Sequence, residues 1–335
     1  MSDRPLVSVL LPVRNAAATL EVALHSISRQ REESFECIIV DDASTDASRG
    51  IAERIAARDA RLRVVSAGGE GLVAALERGL DACRGEFVAR MDGDDWMHRE
   101  RLGLQLARLS AEPELAAVGA HVRLFPRPLG DGMRQYETWL NSLRSAEEIG
   151  LNAFVECPVA HPTLMIRRAV MERLRYRDVG WPEDYDLVLR LLASGERIGI
   201  VEKRLHGWRH GPERLSRVHP NYGLDRFTAC KAHYLAHGFL ADSERYVLCG
   251  YGDTGRALRS ALTKHGRTPA LIVDVHPGRI GNAIHGAPVV APEALAARVD
   301  MPIVGSVAGA GPRAALRQTL GKMGYREGRD FICAA

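Results

Sequence analysis

"LVSVLLPVRNAAATLEVALHSISRQREESFECIIVDD", residues 6–42, is the stretch on which the fold turns. Residues 6–13 and 35–42 are nearly unbroken apolar runs, and residues 19–30 between them repeat leucine and isoleucine at the spacing of one helical face. A strand apolar on both sides, joined to the next by a helix, belongs in a parallel sheet covered on both faces. The unit recurs: a helix pattern over 46–59, a strand over 62–67, a helix over 70–83, a strand over 86–92 and a helix over 98–112. The expected class is therefore α/β, a mostly parallel sheet with helices on both faces. Ligands of such sheets sit off the carboxyl ends of the strands. The polar residues crowd there: Asn15 after the first strand, Asp41 and Asp42 after the second, and Asp92, Asp94 and Asp95 after the fourth.

Beyond residue 115 the alternation loosens, with mixed segments over 115–128, a helical stretch over 136–154, a helix over 183–195, a polar strand over 197–211 and a helix near 221–237. A fresh strand, glycine turn, helix and strand begins at 246, so the chain is read as two domains, 1–240 and 241–335. With 335 residues, 46% hydrophobic and 26% charged, both can carry their own cores. The net charge is only +3, and no basic block recurs with interleaved aromatics, so nucleic acid is not the expected partner. No apolar run approaches the roughly 18 residues of a membrane span, and the N-terminus lacks a signal-peptide pattern. A cytoplasmic protein follows, at most peripheral at the inner face of the membrane. The six cysteines form no C-x-x-C pair and read as reduced core thiols.

Three groups of residues carry chemistry. In "RMDGDD" (90–95) three carboxylates repel one another unless water screens them or something positive sits among them. Carboxylates flanking a glycine suit a hard divalent cation, Mg²⁺ or Mn²⁺, able to bridge to a substrate phosphate. The plainer alternative is a solvated turn, with Asp94 or Asp95 starting the next helix. Asp95 is assigned to that capping role. Asp42 can accept the N–H of a pyrimidine ring or a ribose hydroxyl, whereas Asp46 is placed to cap a helix. Glu183, Asp184 and Asp186 open a helix, where the macrodipole favours acids, yet a carboxylate near a hydroxyl is also what a general base requires. His210 could be a neutral imidazole ligand or a phosphate contact, although a lone histidine is more often structural.

Taken together, "VSVLLPVRN", "IIVDDASTD", "GLVAALERGL", "GEFVARMDGDD", "HPTLMIRR", "PEDYDLVLRL" and "RHGPERLS" resemble the family 2 glycosyltransferases of GT-A fold over residues 5 to about 220. The resemblance implies that Pro12 and Asn15 shape a nucleotide pocket and that Asp42 binds the base. It implies further that Asp92 and Asp94 form a D-x-D motif holding Mn²⁺ or Mg²⁺ and the donor diphosphate, with Arg90 touching that diphosphate. Asp184 would be the catalytic base, with Glu183 beside it on the nucleotide sugar, and His210 would assist at the metal or pyrophosphate. An inverting transfer from a nucleotide sugar, by preference a UDP-sugar, to a glycan or lipid-linked acceptor is the activity implied. The family often has alanine where this chain has Gly93 and asparagine where it has Arg78.

In the second domain "GYGDTG" sets Gly250, Gly252 and Gly255 in G-x-G-x-x-G spacing, with Asp274 at the next strand end. This pattern also fits an NAD-dependent oxidoreductase. NAD is not expected, because fewer than a hundred residues remain and no substrate domain follows. Residues 273–295 resemble instead the N-terminal nucleotide-sugar-binding domain of sugar O-acyltransferases, implying a Rossmann-like ligand-binding domain. A nucleotidyltransferase would share the D-x-D geometry, but "PVRNAAATL" lacks its glycine- and arginine-rich triphosphate loop.

Overall fold

The computed structural model describes residues 4–212 and 214–335. Contacts group them into two compact units. The first comprises the chain up to Ile149 with Val159–Val179 and Arg190–Arg214; the second comprises Gly150–Pro158, Gly180–Leu189 and Leu215–Ala335.

The first unit is built on eight strands: β1 (Val7–Val13), β2 (Phe35–Asp42), β3 (Leu62–Ala67), β4 (Phe87–Arg90), β5 (Trp96–Met97), β6 (Leu115–Phe125), β7 (Met165–Arg167) and β8 (Arg197–Arg209). Their order is β3-β2-β1-β4-β7-β6-β8-β5. The first four are parallel; β7 runs antiparallel to both β4 and β6, while β8 lies parallel to β6. Every residue of β1 is buried, as its unbroken apolar sequence requires. On one face Val7, Val9, Leu11 and Val13 share a core with Leu20, Leu24 and Ile27 of the helix Leu20–Ser28. On the other, the helix Leu72–Ala82 approaches so closely that a Cβ on Gly79 would stand 2.3 Å from Leu10 Cδ1. Burying each such leucine or valine contributes about 1.5–3 kcal/mol.

From β1 the chain winds outward through β2 and β3, then returns to place β4 on the other side of β1. This reversal opens a crevice at the carboxyl ends of β1 and β4, the switch point at which α/β sheets take ligands.

The second unit holds β9 (Arg245–Cys249), β10 (Thr268–Val273), β11 (Ala283–Ile284), β12 (Ala287–Val290), β13 (Ile303–Gly305) and β14 (Phe331–Cys333), ordered β11-β12-β10-β9-β13-β14. All pairs are parallel except β11 with β12. Its core takes Ala232, Leu235 and Ala236 from the helix Leu224–His237, packed with Tyr246, Leu248 and Leu258. That helix therefore folds with the second unit. In "GYGDTG", Gly255 lets the helix Asp253–Thr263 approach the turn: a Cβ there would meet the Gly250 carbonyl oxygen at 2.2 Å. Because the obstruction is backbone, Gly255→Ala is expected to destabilise this unit by about 2–3 kcal/mol, read as a lower urea midpoint.

All six cysteines are buried free thiols. Among the described residues no helix is long and apolar enough to cross a membrane.

Candidate active site

The crevice of the first unit is edged by the loops after β1 and β2. Pro12 lies within buried β1, in register with Val40. Asn15 takes a positive φ of 51° just past the strand and joins the two loops. Its Oδ1 accepts from the Thr45 N–H at 2.8 Å, and its own N–H donates to Ser44 Oγ at 3.1 Å. Asp46 accepts from the N–H of Ser48, the first residue of the next helix, and from Ala17 N–H; it stands one position before the N-cap residue Ala47 rather than at the cap itself. Asp42, at the end of β2, is only 2% exposed. Its Oδ2 accepts from Gly71 N–H at 3.2 Å and from Arg14 at 3.3 Å. Its Oδ1 is buried with no hydrogen-bond partner among the described residues. A buried carboxylate oxygen left unmatched is costly unless a ligand donates to it.

Two strand spacings away, about 10 Å, the chain leaves β4 into the acidic turn. Asp92, Asp94 and Asp95 each bring a carboxylate oxygen within 4.8 Å of the others. Part of the compensating charge comes from arginine. Arg90 Nη2 stands 2.7 Å from Asp92 Oδ1, and Arg214 Nη2 stands 3.7 Å from Oδ2. Burial pushes the Asp92 carboxyl up, but Arg90 and Arg214 outweigh it and hold it below the usual range. Asp94 makes no such ion pair among the described residues, and burial with its two acidic neighbours pushes it up to about 7. The pair of Asp92 and Asp94 thus offers oxygen atoms alone, the donor set that fits Mg²⁺ or Mn²⁺.

Asp95 does not cap a helix, contrary to the sequence expectation. The next helix begins only at Arg101, after β5, too far along the chain for the Asp95 side chain to reach its first amides. Instead Asp95 is 1% exposed and turned toward β8. Its Oδ1 accepts from Arg209 N–H at 2.6 Å and its Oδ2 from His206 Nε2 at 2.8 Å. The tautomer follows from the other ring nitrogen. Arg101 Nη1 lies 3.1 Å from His206 Nδ1 and can only donate, so Nδ1 accepts and Nε2 carries the proton. Burial, with Arg101, accordingly keeps His206 neutral. Arg101 itself is fully buried, also bonded to Gln105 and to the Arg90 carbonyl. Asp95 therefore anchors the turn to β8.

In the second unit Glu183, Asp184 and Asp186 open the helix Glu183–Ala193 as read from the sequence. Tyr222 Oη donates to both Glu183 oxygens, at 2.8 and 2.6 Å. Trp181 Nε1 and Tyr234 Oη donate to Asp186 at 3.0 and 2.7 Å. Asp184 differs: the Tyr185 N–H is bonded to its Oδ1 at 2.7 Å, and it is half-buried. Burial, then the Glu183 charge, pushes its carboxyl up to about 8.

The matches to known proteins agree with this architecture. Residues 8–175 match the family model described as "Glycosyl transferase family 2". The putative glycosyltransferase EpsE of Bacillus subtilis (strain 168) is 31% identical over 241 residues, covering 69% of this chain and 84% of its own. The chain belongs to glycosyltransferase family 2. Two solved structures share the fold. S. aureus TarS in complex with UDP-GlcNAc has a TM-score of 0.57 at 18% identity, covering 77% of this chain and 72% of that one. The Pyrobaculum calidifontis mannosyltransferase PcManGT, in complex with GDP-Man and Mn²⁺, has a TM-score of 0.51 at 21% identity, covering 97% of this chain and 82% of that one. The chain thus has a GT-A-type fold, and the protein is a glycosyltransferase.

For this family 2 enzyme, several residues at the acidic turn carry no isolated signal in the sequence. Arg209 donates its Nε to the Asp94 carbonyl at 2.8 Å and stacks on Phe125; Arg214 stacks on Trp208. Both stand in "WRHGPERLS", close to His210, the residue that the sequence singles out. His210 lies just past β8, where its N–H bonds to the Phe125 carbonyl at 2.6 Å; it is not among the three residues of the acidic cluster. That bond ties His210 to the end of β6.

In the second unit Gly252 precedes the helix Asp253–Thr263, and Gly250 holds the left-handed φ of 92° that its turn requires. Asp274 accepts from Tyr251 N–H at 2.9 Å, His276 N–H at 2.8 Å and Arg279 at 2.9 Å.

Proposed function

We propose that this enzyme moves a sugar, with inversion, from a nucleoside-diphosphate donor to a hydroxyl of a glycan or lipid-linked acceptor, with a divalent cation at Asp92 and Asp94. The observation that carries the reading is the Asp92–Asp94 pair at the carboxyl end of β4, where Asp94 stands without an ion pair among the described residues. The unmatched Asp42 Oδ1 supports a nucleobase on the neighbouring strand end, and a uracil N3–H is a donor of the right kind. TarS, with UDP-GlcNAc, supports a uridine nucleotide; PcManGT, with Mn²⁺, supports the metal. Pro12 and Asn15 shape the base pocket in this reading.

The residues divide the work as follows. Asp184 takes the proton of the acceptor hydroxyl. The oxygen then bonds to the anomeric carbon from the face opposite the donor phosphate, and the bond from that carbon to the phosphate oxygen breaks, releasing the nucleoside diphosphate. Arg90, with Arg209, Arg214 and His210, lies along the chain segments that flank the acidic turn and stabilises the diphosphate as its charge grows. Glu183 positions Asp184 and the sugar. Bound at Asp92 and Asp94, Mn²⁺ or Mg²⁺ would supply Lewis-acid neutralisation of the leaving group. Residues 241–335 are read as a Rossmann-like ligand-binding module rather than an NAD site.

Calorimetric titration with UDP, GDP, dTDP and CDP, with and without Mn²⁺ and repeated with NADH, tests this. Metal-dependent binding of one nucleoside diphosphate is expected; binding of NADH alone would overturn the reading. Asp42→Ala should weaken that nucleotide by about 10- to 100-fold, the worth of a hydrogen bond to a charged group.

A further inference from the structure

The second unit carries a group of side chains that the transfer reaction does not use. His233 and His237 stand one turn apart on the helix Leu224–His237, and His265 comes from the turn that ends the helix Asp253–Thr263. Each offers a ring nitrogen, and these nitrogens all lie within 4.8 Å of one another. The ring centroids are 4.5 Å apart for His233 and His237, 5.7 Å for His233 and His265, and 5.5 Å for His237 and His265. We propose that His233, His237 and His265 bind one Zn²⁺ ion, which clasps the C-terminal ends of these two helices together and leaves a fourth position for water or an outside ligand.

The chemistry of the donors selects the ion. Three imidazoles without a carboxylate suit a borderline transition metal, whereas the all-oxygen pair Asp92 and Asp94 suits Mg²⁺ or Mn²⁺. One tautomer is already set for ligation. His237 Nδ1 lies 2.7 Å from the His233 carbonyl, which can only accept, so Nδ1 carries the proton and Nε2 keeps the lone pair. Metal-bound histidines hold their second nitrogen in this way. The two helix ends are also held together independently of the imidazoles, because Arg267 donates to the carbonyls of Ala236 and Ala241, at 3.2 and 3.0 Å. With Zn–N bonds of about 2.0–2.1 Å, tetrahedral ligands stand roughly 3.3 Å apart, so small rotations of the rings close the site.

Trp181, whose ring centroid is 5.3 Å from that of His233, provides a local reporter. Metal-stripped full-length chain titrated with Co²⁺ is expected to show the visible absorption of four-coordinate cobalt, together with quenching of Trp181 fluorescence, both reversed by Zn²⁺. Saturating Zn²⁺ should raise the melting midpoint by about 5 °C. His237→Ala and His265→Gln should each weaken the cobalt signal at least about 100-fold with an unchanged circular-dichroism spectrum, whereas Asp94→Ala should leave it intact. Retention of the signal in both histidine variants, its loss in Asp94→Ala, or no cobalt spectrum in the parent chain would overturn the proposal.

Discussion

Asp184→Asn is expected to lower the rate of sugar transfer about 10³-fold while leaving nucleotide affinity unchanged. Of the three acids that open the helix Glu183–Ala193, two are committed to hydroxyl or indole donors: Glu183 to Tyr222, and Asp186 to Trp181 and Tyr234. Asp184 alone of the three combines partial exposure with a carboxyl pushed up to about 8. A base with that affinity for protons is well matched to a hydroxyl, but it works only when ionised. The transfer rate should therefore climb about tenfold per pH unit below 8 and level off above it. Glu183→Gln removes a negative neighbour, which should move that rise to lower pH. Full activity in Asp184→Asn, or a rate independent of pH between about 6 and 9, would remove Asp184 from the role.

What the sequence reveals and what it hides follow from the range of each interaction. Strands such as Val7–Val13 and helices such as Leu20–Ser28 announce themselves through local periodicity, and the structure has them within a residue or two of the expected bounds. Asn15, Asp42 and Asp92 fall at strand ends for the same local reason. Asp95 defies a local reading because its partners are distant in sequence: His206 and Arg209 lie more than a hundred residues away. Arg101 is hidden in another way. It occupies the buried face of an otherwise amphipathic helix, where a charged side chain is unexpected unless a partner such as His206 meets it. The sequence places the helix Leu224–His237 in the first domain, 1–240, yet its apolar face is covered by Tyr246 and Leu248, whose positions depend on how the second sheet assembles.

The second large effect is expected at the acidic turn, where the three aspartates should respond differently. Asp94→Ala should weaken Mn²⁺-dependent binding of UDP by about 100-fold or more, since it removes a direct ligand where even outer-shell changes cost 10- to 100-fold. It should leave the melting temperature of the metal-free protein nearly unchanged or slightly raised, because the burial and the acidic repulsion that push Asp94 up to about 7 disappear with it. Asp95→Ala should do the reverse. It strips the neutral His206 and the Arg209 N–H of their buried acceptor and should cost about 1–3 kcal/mol of stability, seen as a lower urea midpoint. Asp92→Asn should fall between them, losing metal affinity while leaving Arg90 and Arg214 with a weakened partner. Equal UDP affinity with and without Mn²⁺ in the parent enzyme would refute the cation site. In that event Arg90 and Arg214, already drawn to Asp92, and Arg209 beside Asp94 would be the cations at the turn left to neutralise a diphosphate.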